Sequence, residues 1–416
     1  MIKYNKHAGF ITNLEDGYIM TVKYYPIVSI ISGQERRTLA DEFLDEIRNE
    51  LGWEIIPVKS VDELKDEELR FILVQSGGSE NAFLRFYDQI SDKPCYILST
   101  LHSNSLAASM EILSYIKDHG KKGAILHGDG KTVARKLKAL AQANEALKKL
   151  RGAKFGVLGD PSDWLIASMA NEVVLKEKLG ISLVHIPMEE LETEYEKRTY
   201  EPNQWTELLL SKGYDREEME KAFCVYGALR RIVDRYGLHG VTVRCFDLLT
   251  SVYTTGCLGL AILNADGVYG GCEGDIPALI SMAILGDLTG KPVFLCNPSR
   301  IDTINQEMVF AHCTLPINMP YEFDLTTHYE SGIGVAVAGS LKEGDMTIFK
   351  TSGDLSRHFV KKGQILANLR EPSLCRSQIK IKLDDYSYFT NNPIHNHHLV
   401  VLGDEVNAVE EFFNLI

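Results

Sequence analysis

Along the first 150 residues, apolar positions alternate between short continuous runs and a helical period. Ile27-Val28-Ser29-Ile30-Ile31-Ser32-Gly33, Phe71-Ile72-Leu73-Val74-Gln75-Ser76-Gly77-Gly78 and Cys95-Tyr96-Ile97-Leu98-Ser99-Thr100 read as buried strands, the first two ending in glycine. Between the first pair, the stretch Arg36 to Leu51 carries Leu39, Phe43, Ile47 and Leu51 one helical turn apart, and Thr132 to Leu150 is a Lys/Ala/Leu-rich helix. Strands alternating with helices predict βαβ units and a parallel sheet covered on both faces. Ligands in such sheets bind beyond the carboxyl ends of the strands. Gly77-Gly78-Ser79-Glu80 and Leu101-His102-Ser103-Asn104-Ser105 lie at two such ends.

A second unit of the same texture starts at Ala153-Lys154-Phe155-Gly156-Val157-Leu158-Gly159-Asp160. Asp163 is a cap candidate for a helix through Trp164-Leu165-Ile166. Ile181 to Ile186 and Val241 to Cys245 are strands, Glu189 to Ala222 a charged outer surface, and Ile276 to Leu288 a helix. Past residue 325 the pattern changes to short strands with turns between them: Gly334 to Gly339, Asp345 to Lys350 and Gln378 to Leu383. The last two alternate polar and apolar positions, which predicts a half-exposed antiparallel sheet or barrel. The fold class expected is thus two Rossmann-like α/β units with parallel sheets and a smaller C-terminal β-rich, barrel-like domain, divided as 1–150, 151–325 and 326–416.

Composition narrows the function classes. A chain of 416 residues with 45% hydrophobic and 24% charged residues is globular and too long for one core. The net charge of −13 opposes a broad grip on nucleic acid or an anionic membrane, while leaving room for a small anionic substrate in one locally basic cleft. None of the eight cysteines is spaced as C-x-x-C, and most sit in apolar runs, so they read as reduced, buried small hydrophobes. With no apolar N-terminal stretch in Met1 to His7 and no membrane-length apolar run, a soluble cytoplasmic protein is expected.

The chain lacks G-x-G-x-x-G, a P-loop and G-x-S-x-G, so a Rossmann dinucleotide, a P-loop nucleotide and a nucleophile elbow are unsupported. Polar functional groups concentrate between Gly271 and Asp302 and in Phe310-Ala311-His312-Cys313-Thr314. Glu273 follows the small-residue stretch Tyr269-Gly270-Gly271-Cys272, which lets a ligand approach the backbone. Asp275 is either a catalytic carboxylate or a helix cap, and His312 either a ligand or a satisfied core histidine. Asn297 and Asp302 flank Pro298-Ser299-Arg300 after the strand Pro292 to Cys296. The cluster His395-Asn396-His397-His398 is followed by an apolar strand, unlike a tag or solvated tail. Carboxylates from one segment and imidazoles from two others suit a divalent transition metal better than calcium. The metal-free alternative makes each a separate cap or core group.

At these residues the chain resembles the L-fucose isomerase and L-arabinose isomerase superfamily, in a compact fucose-isomerase-like branch. The resemblance rests on Cys272-Glu273-Gly274-Asp275, Leu288-Thr289-Gly290, Phe310-Ala311-His312-Cys313 and Asn396-His397-His398, in that order from Asp247 onward. Upstream it is looser, carried by Asn104 to Ala108 and Ser162-Asp163-Trp164-Leu165. It implies a homo-oligomeric enzyme that interconverts an aldose and a ketose through an enediol with Mn²⁺ or a related divalent ion. Glu273 is then both metal ligand and proton-transfer carboxylate and His397 the imidazole ligand. His398 is the near alternative to His397 and, with Arg376 and Trp164, a substrate-binding candidate. The sequence departs from the family at Asn297, where a second carboxylate belongs; an amide coordinates weakly and cannot act as a base. Asp302 or Asp275 are the replacements as carboxylate, and His312 as ligand. Arg376 either meets an anionic or hydroxyl-rich substrate through its forked donors or forms a surface ion pair. The alternatives to a simple sugar isomerase are a catalytically altered sugar-binding relative and an enzyme for another enolisable, anionic carbohydrate.

Overall fold

The computed structural model describes residues 20–29 and 34–416, with the side chains of 34–37 left aside. The expectation for Met1 to His7 and the end of the first strand run, Ile30 to Gly33, lie outside the described residues. The chain divides into two compact units, one running up to Glu145 and joined by Glu410–Ile416, the other spanning Ala146–Val409.

The first unit reads in order β1 (Thr21–Ile27), α1 (Gln34–Leu51), β2 (Glu54–Pro57), β3 (Arg70–Val74), α2 (Glu80–Leu84), β4 (Cys95–Ser99), α3 (Ser105–Asp118), β5 (Gly123–His127) and α4 (Gly130–Leu150). Its five strands are all parallel in the order β2-β1-β3-β4-β5. Leu44 and Ile47 of α1 pack on one face of the sheet and Ile112 and Ile116 of α3 on the other. Continuous apolar runs bury both faces, as the pattern requires. The loops after β3 and β4 meet: Gly77 N–H donates to Ser103 O at 2.8 Å.

The second unit opens with β6 (Lys154–Leu158), α5 (Glu172–Leu179), β7 (Ser182–Ile186), α6 (Met188–Tyr195), α7 (Gln204–Leu210), α8 (Arg216–Tyr236), β8 (Gly240–Val243), α9 (Leu248–Ser251), α10 (Cys257–Ala265), β9 (Tyr269–Cys272) and α11 (Ile276–Thr289). The sheet is parallel in the order β7-β6-β8-β9. Then follow β10 (Phe294–Asp302), β11 (Glu307–His312), β12 (Glu322–Thr326), β13 (Ala336–Ser340), β14 (Gly344–Thr351), β15 (His358–Asn368), β16 (Ser377–Lys382), α12 (Ser387–Asn391), β17 (His398–Leu402) and α13 (Val406–Leu415). Six of these strands close a barrel, β10-β11-β16-β15-β14-β17, and β12-β13 form a separate ribbon. The mixed fold of two parallel α/β sheets and a C-terminal barrel matches the reading of the sequence. One continuous apolar core joins the sheet to the barrel, running from Leu158 and Val243 through Phe294 and Phe310 to Val400.

Three local expectations change. Residues around Trp164 form turns instead of a helix, and Asp163 pairs with Arg244 at 3.1 Å instead of capping. β14 is buried on both faces from Met346 to Thr351 despite its alternating sequence, because α11 packs against it. The charged stretch Glu189 to Ala222 holds a buried carboxylate, Glu194, whose oxygens accept from Lys197, Arg231 and Arg235 and so tie α6 to α8.

Burial raises the pKa of Glu194, but these three cations outweigh it and hold the group at about 2. A depressed folded-state pKa gives stability that is full above the ordinary carboxylate range and lost as pH falls toward that value. Glu194→Gln is therefore expected to lower the urea midpoint at neutral pH, with the gap to wild type closing as pH is lowered from about 6 to about 3. A gap independent of pH would refute this role.

Candidate active site

The turn from β9 into α11 sets the geometry. Glu273 and Gly274 both adopt left-handed backbone, with φ of 64° and 71°. For a glutamate this costs about 1–2 kcal/mol, a strain that tends to collect at functional sites. The turn is held by Gly274 N–H donating to Val243 O at 3.0 Å and Ser162 N–H donating to Glu273 O at 2.9 Å. A Cβ on Gly274 would come within 2.8 Å of Asp160 O and Pro161 Cα, so the loop after β6 can approach only glycine. Asp275 then caps α11, its Oδ1 accepting from Ala278 N–H at 2.8 Å, with Pro277 in the first turn.

Asp275 does more than cap. Its Oδ2 accepts from His397 Nδ1 at 2.8 Å, and the buried Lys350 Nζ lies 3.8 Å from its Oδ1. The His397 Nδ1–H bond leaves Nε2 facing Glu273 Oε1 at 3.6 Å. The other oxygen of Glu273 accepts from Trp164 Nε1 at 2.6 Å. Burial raises the pKa of Glu273, but His397 and Trp164 outweigh it and hold the carboxyl at about 2. Asp275 is likewise pulled well below the usual range against burial, by Lys350 and His397. Burial lowers His397, yet Asp275 and Glu273 together raise it to about 9. For Lys350 burial wins, and its pKa falls in spite of Asp275.

His312, at the end of β11, approaches from a third direction. Its ring lies 5.5 Å from that of His397, and its Nδ1 bonds Thr314 Oγ1 at 2.9 Å, which leaves Nε2 available. Burial and the neighbouring His397 drive its pKa down to about 3, so it is a neutral imidazole. Ligand atoms of Cys272, Glu273 and His312 lie within 4.8 Å of one another. Asn297 sits one residue beyond the Cys296–His398 pair of β10 and β17, level with His397.

His397 Nε2 and Asn297 Oδ1 are buried without a hydrogen-bond partner, as are Lys350 Nζ and Ser162 Oγ nearby. Leaving a buried polar atom unsatisfied costs about 1–3 kcal/mol. A carboxylate, two imidazoles and an amide oxygen are donors for a first-row divalent cation, which would engage the Asn297 oxygen and, in exchange for its proton, His397 Nε2.

Asp302 and His398 are engaged away from this cluster. Asp302 accepts from Ile304 N–H, Asn305 N–H and Asn305 Nδ2, all within the turn after β10. His398 has both nitrogens engaged, Nδ1 with Asn396 O at 2.9 Å and Nε2 with Tyr388 OH at 3.0 Å. Its pKa is driven to about 3 by burial, so it serves as a core histidine. Arg376 directly precedes Ser377, the strand partner of His312. Its Nε donates to Thr327 O at 2.7 Å and Nη2 to Thr327 Oγ1 at 3.2 Å, while the guanidinium lies over Tyr329. Trp164 keeps 52% of its surface exposed, its indole edge-on to Phe246 at 4.8 Å. A cavity of about 460 Å³ opens at the carboxyl ends of β6, β7 and β8, lined by Gly159, Asp160, Pro187 and Arg244, beside the loop that packs on Gly274. The residue that sequence reading missed is Lys350: its place in an alternating strand marks it as solvent-facing, and only the covering helix buries it.

No established protein-family profile matches the chain. It is similar to proteins named sulfoquinovose isomerase from Priestia aryabhattai and Priestia megaterium, 28% identical over 281 residues, 64% of this chain. A protein of the same name from a Clostridium species is 26% identical over 191 residues, 44% of this chain and 42% of that one. The chain spans 63% of the length of the two Priestia proteins it matches. Among the described residues, no helix is long and apolar enough to cross a membrane.

The turn supplies a direct test. Gly274→Ala is expected to destabilise the protein more than Gly237→Ala, measured by urea unfolding. Both glycines are left-handed, with φ of 71° and 64°, but an added Cβ meets nothing within 4 Å at Gly237. Both therefore incur the backbone penalty of about 1–2 kcal/mol, and only Gly274→Ala adds the clash. Equal losses would show that the Asp160–Pro161 loop yields freely.

Proposed function

We propose that the chain is an aldose–ketose isomerase of the fucose-isomerase-like kind, acting on an anionic sugar. The observation that carries this reading is the convergence of an ionised Glu273, a His397 oriented by Asp275 and a neutral His312, with His397 Nε2 and Asn297 Oδ1 buried and unpartnered. Glu273, His397, His312 and Asn297 would hold a divalent ion such as Mn²⁺. That ion would polarise the carbonyl and adjacent hydroxyl of an open-chain sugar.

The chain's own residues account for the remaining steps. Glu273 is ionised at neutral pH and buried, so it can accept the proton from the carbon beside the carbonyl. The electron pair of that C–H bond forms the C=C bond of the enediol, and the carbonyl oxygen takes up a proton. Returning the proton from Glu273 to the neighbouring carbon, with loss of the other hydroxyl proton, gives the ketose, so no external oxidant or reductant is consumed. Trp164 fixes one oxygen of Glu273 by its N–H and offers the exposed indole surface to the sugar. Asp275, which faces Lys350, orients His397 from behind by accepting from its Nδ1–H.

Two observations support an anionic substrate. The relatives' name specifies a sugar carrying a sulfonate. Among the described residues, no carboxylate pairs with Arg376, whose guanidinium is oriented by Thr327 beside the strand partner of His312. A forked guanidinium suits such a group better than a point charge.

Glu273→Gln, nearly isosteric but unable to accept the proton, is expected to lower isomerisation roughly 10²–10⁴-fold, with the thermal midpoint little changed. The assay is conversion of sulfonated and phosphorylated aldohexoses to ketoses with Mn²⁺, followed by NMR with deuterium exchange at the carbon beside the carbonyl. Full activity in the variant would overturn the role of Glu273. Metal-dependent binding without exchange in the wild type would instead identify a sugar-binding relative. Arg376→Met is expected to raise KM for the anionic sugars far more than for their neutral parents. An equal effect on both would remove the anion assignment.

A further inference from the structure

Outside the site just described, a second cluster of metal-ligating groups is buried between α10, the end of β11 and the loop after β12. Ligand atoms of Cys257, Cys313 and His328 all lie within 4.8 Å of one another. The Cys257 and Cys313 sulfurs are 3.2 Å apart, and both cysteines are free. Two further groups approach the cluster. Cys375, at the turn before β16, interacts with Cys313 and has its thiol 3.7 Å from Glu330 Oε1. Glu330 Oε2 lies 2.9 Å from His328 Nε2, while His328 Nδ1 bonds Ser331 Oγ at 3.0 Å. A small cavity of about 10 Å³ touches Cys257, His328 and Thr255. The buried Thr255 side chain that lines it interacts with the Cys257 thiol.

We propose that Cys257, Cys313 and His328, completed by Cys375, form a structural site for a thiophilic divalent cation of the zinc class, separate from the Glu273 site. Three sulfurs and one imidazole are a ligand set that selects zinc over the harder manganese or magnesium. Zinc–sulfur bonds of about 2.3 Å in a tetrahedron place two sulfurs about 3.8 Å apart. The observed 3.2 Å needs only a small spreading to reach that value and is far from the length of a disulfide. Each thiol that ligates gives its proton to solvent. Glu330, 2.9 Å from His328 Nε2, supplies the carboxylate contact that commonly orients a metal-bound histidine. The His328 nitrogen that ligates exchanges its present partner, Ser331 Oγ or Glu330, for the cation.

Such a site has a clear structural consequence. It fastens the loop carrying Thr327, which orients Arg376, to the residue that directly follows His312. This inference does not depend on the sugar-isomerase reading.

The full-length protein, reduced with a phosphine and stripped by chelator, is titrated with Co²⁺ and read for the near-ultraviolet thiolate-to-cobalt charge-transfer band. The band is expected in wild type, in Glu273→Gln and in Cys272→Ser, and its loss is expected in Cys257→Ser and Cys313→Ser. No band in wild type would overturn the site. So would a band that disappears with Cys272→Ser and survives Cys257→Ser, since that assigns the thiolate to the Glu273 site. If Cys257→Ser and Cys313→Ser fail to fold, X-ray absorption on the zinc-loaded Cys272→Ser protein decides. A sulfur shell at about 2.3 Å supports the site, and nitrogen or oxygen scatterers alone at about 2.0–2.1 Å refute it.

Discussion

The hydrogen bond between Asp275 and His397 is the constraint around which the candidate site is organised. One carboxylate ends the exposed backbone of α11, fixes the imidazole that leads into β17, and faces a lysine buried in β14. These elements belong to a parallel sheet and to a barrel, so the bond locks the two architectures together where their strands end. Removing one partner of a buried charged set leaves the others uncompensated, at a cost of about 3–5 kcal/mol. The arrangement is therefore expensive to disturb, which suits a group whose task is to hold another group still.

That rigidity explains how Glu273 can be both strained and usable. The left-handed backbone turns its side chain off the end of β9 toward the barrel, and Trp164 and His397 then define each carboxylate oxygen. A carboxylate held ionised inside a protein is normally paired with a cation. Here the pairing falls to an imidazole whose second nitrogen is already engaged by Asp275, and Glu273 stays ionised without an arginine or lysine of its own.

Much of this was legible in the sequence because it is local. Continuous apolar runs gave the parallel strands, and the tetrad Cys272-Glu273-Gly274-Asp275 before a helical run gave the capped turn. Glu273, His312 and His397, singled out by their order along the chain, are brought together by the fold. What could not be read depends on long-range packing. Asp302 and Asp275 look equivalent as spare carboxylates, yet Asp302 ends at a turn where backbone N–H groups engage it locally. His397 and His398 are neighbours with opposite roles, because strand alternation sends one toward Asp275 and the other toward Tyr388. Lys350 and β14 illustrate the same limit: alternation says which residues share a face, but not whether a helix covers it.

The end of β11 carries this logic one step further. His312 and Cys313 are consecutive, and they reach two different clusters, one of oxygen and nitrogen donors around Glu273 and one of sulfur donors around Cys257. Ligand hardness would keep two cations apart even at such short range, since carboxylate, amide and imidazole donors suit a manganese-like ion while thiolates suit zinc. The thiol of Cys272 is the one soft group on the Glu273 side. It lies 2.9 Å from the Cys245 sulfur in the buried core. With one thiol beside a carboxylate and an imidazole on the Glu273 side, and two thiols beside one imidazole around Cys257, the clusters differ in hardness, a difference set by packing and invisible in the spacing of the motif.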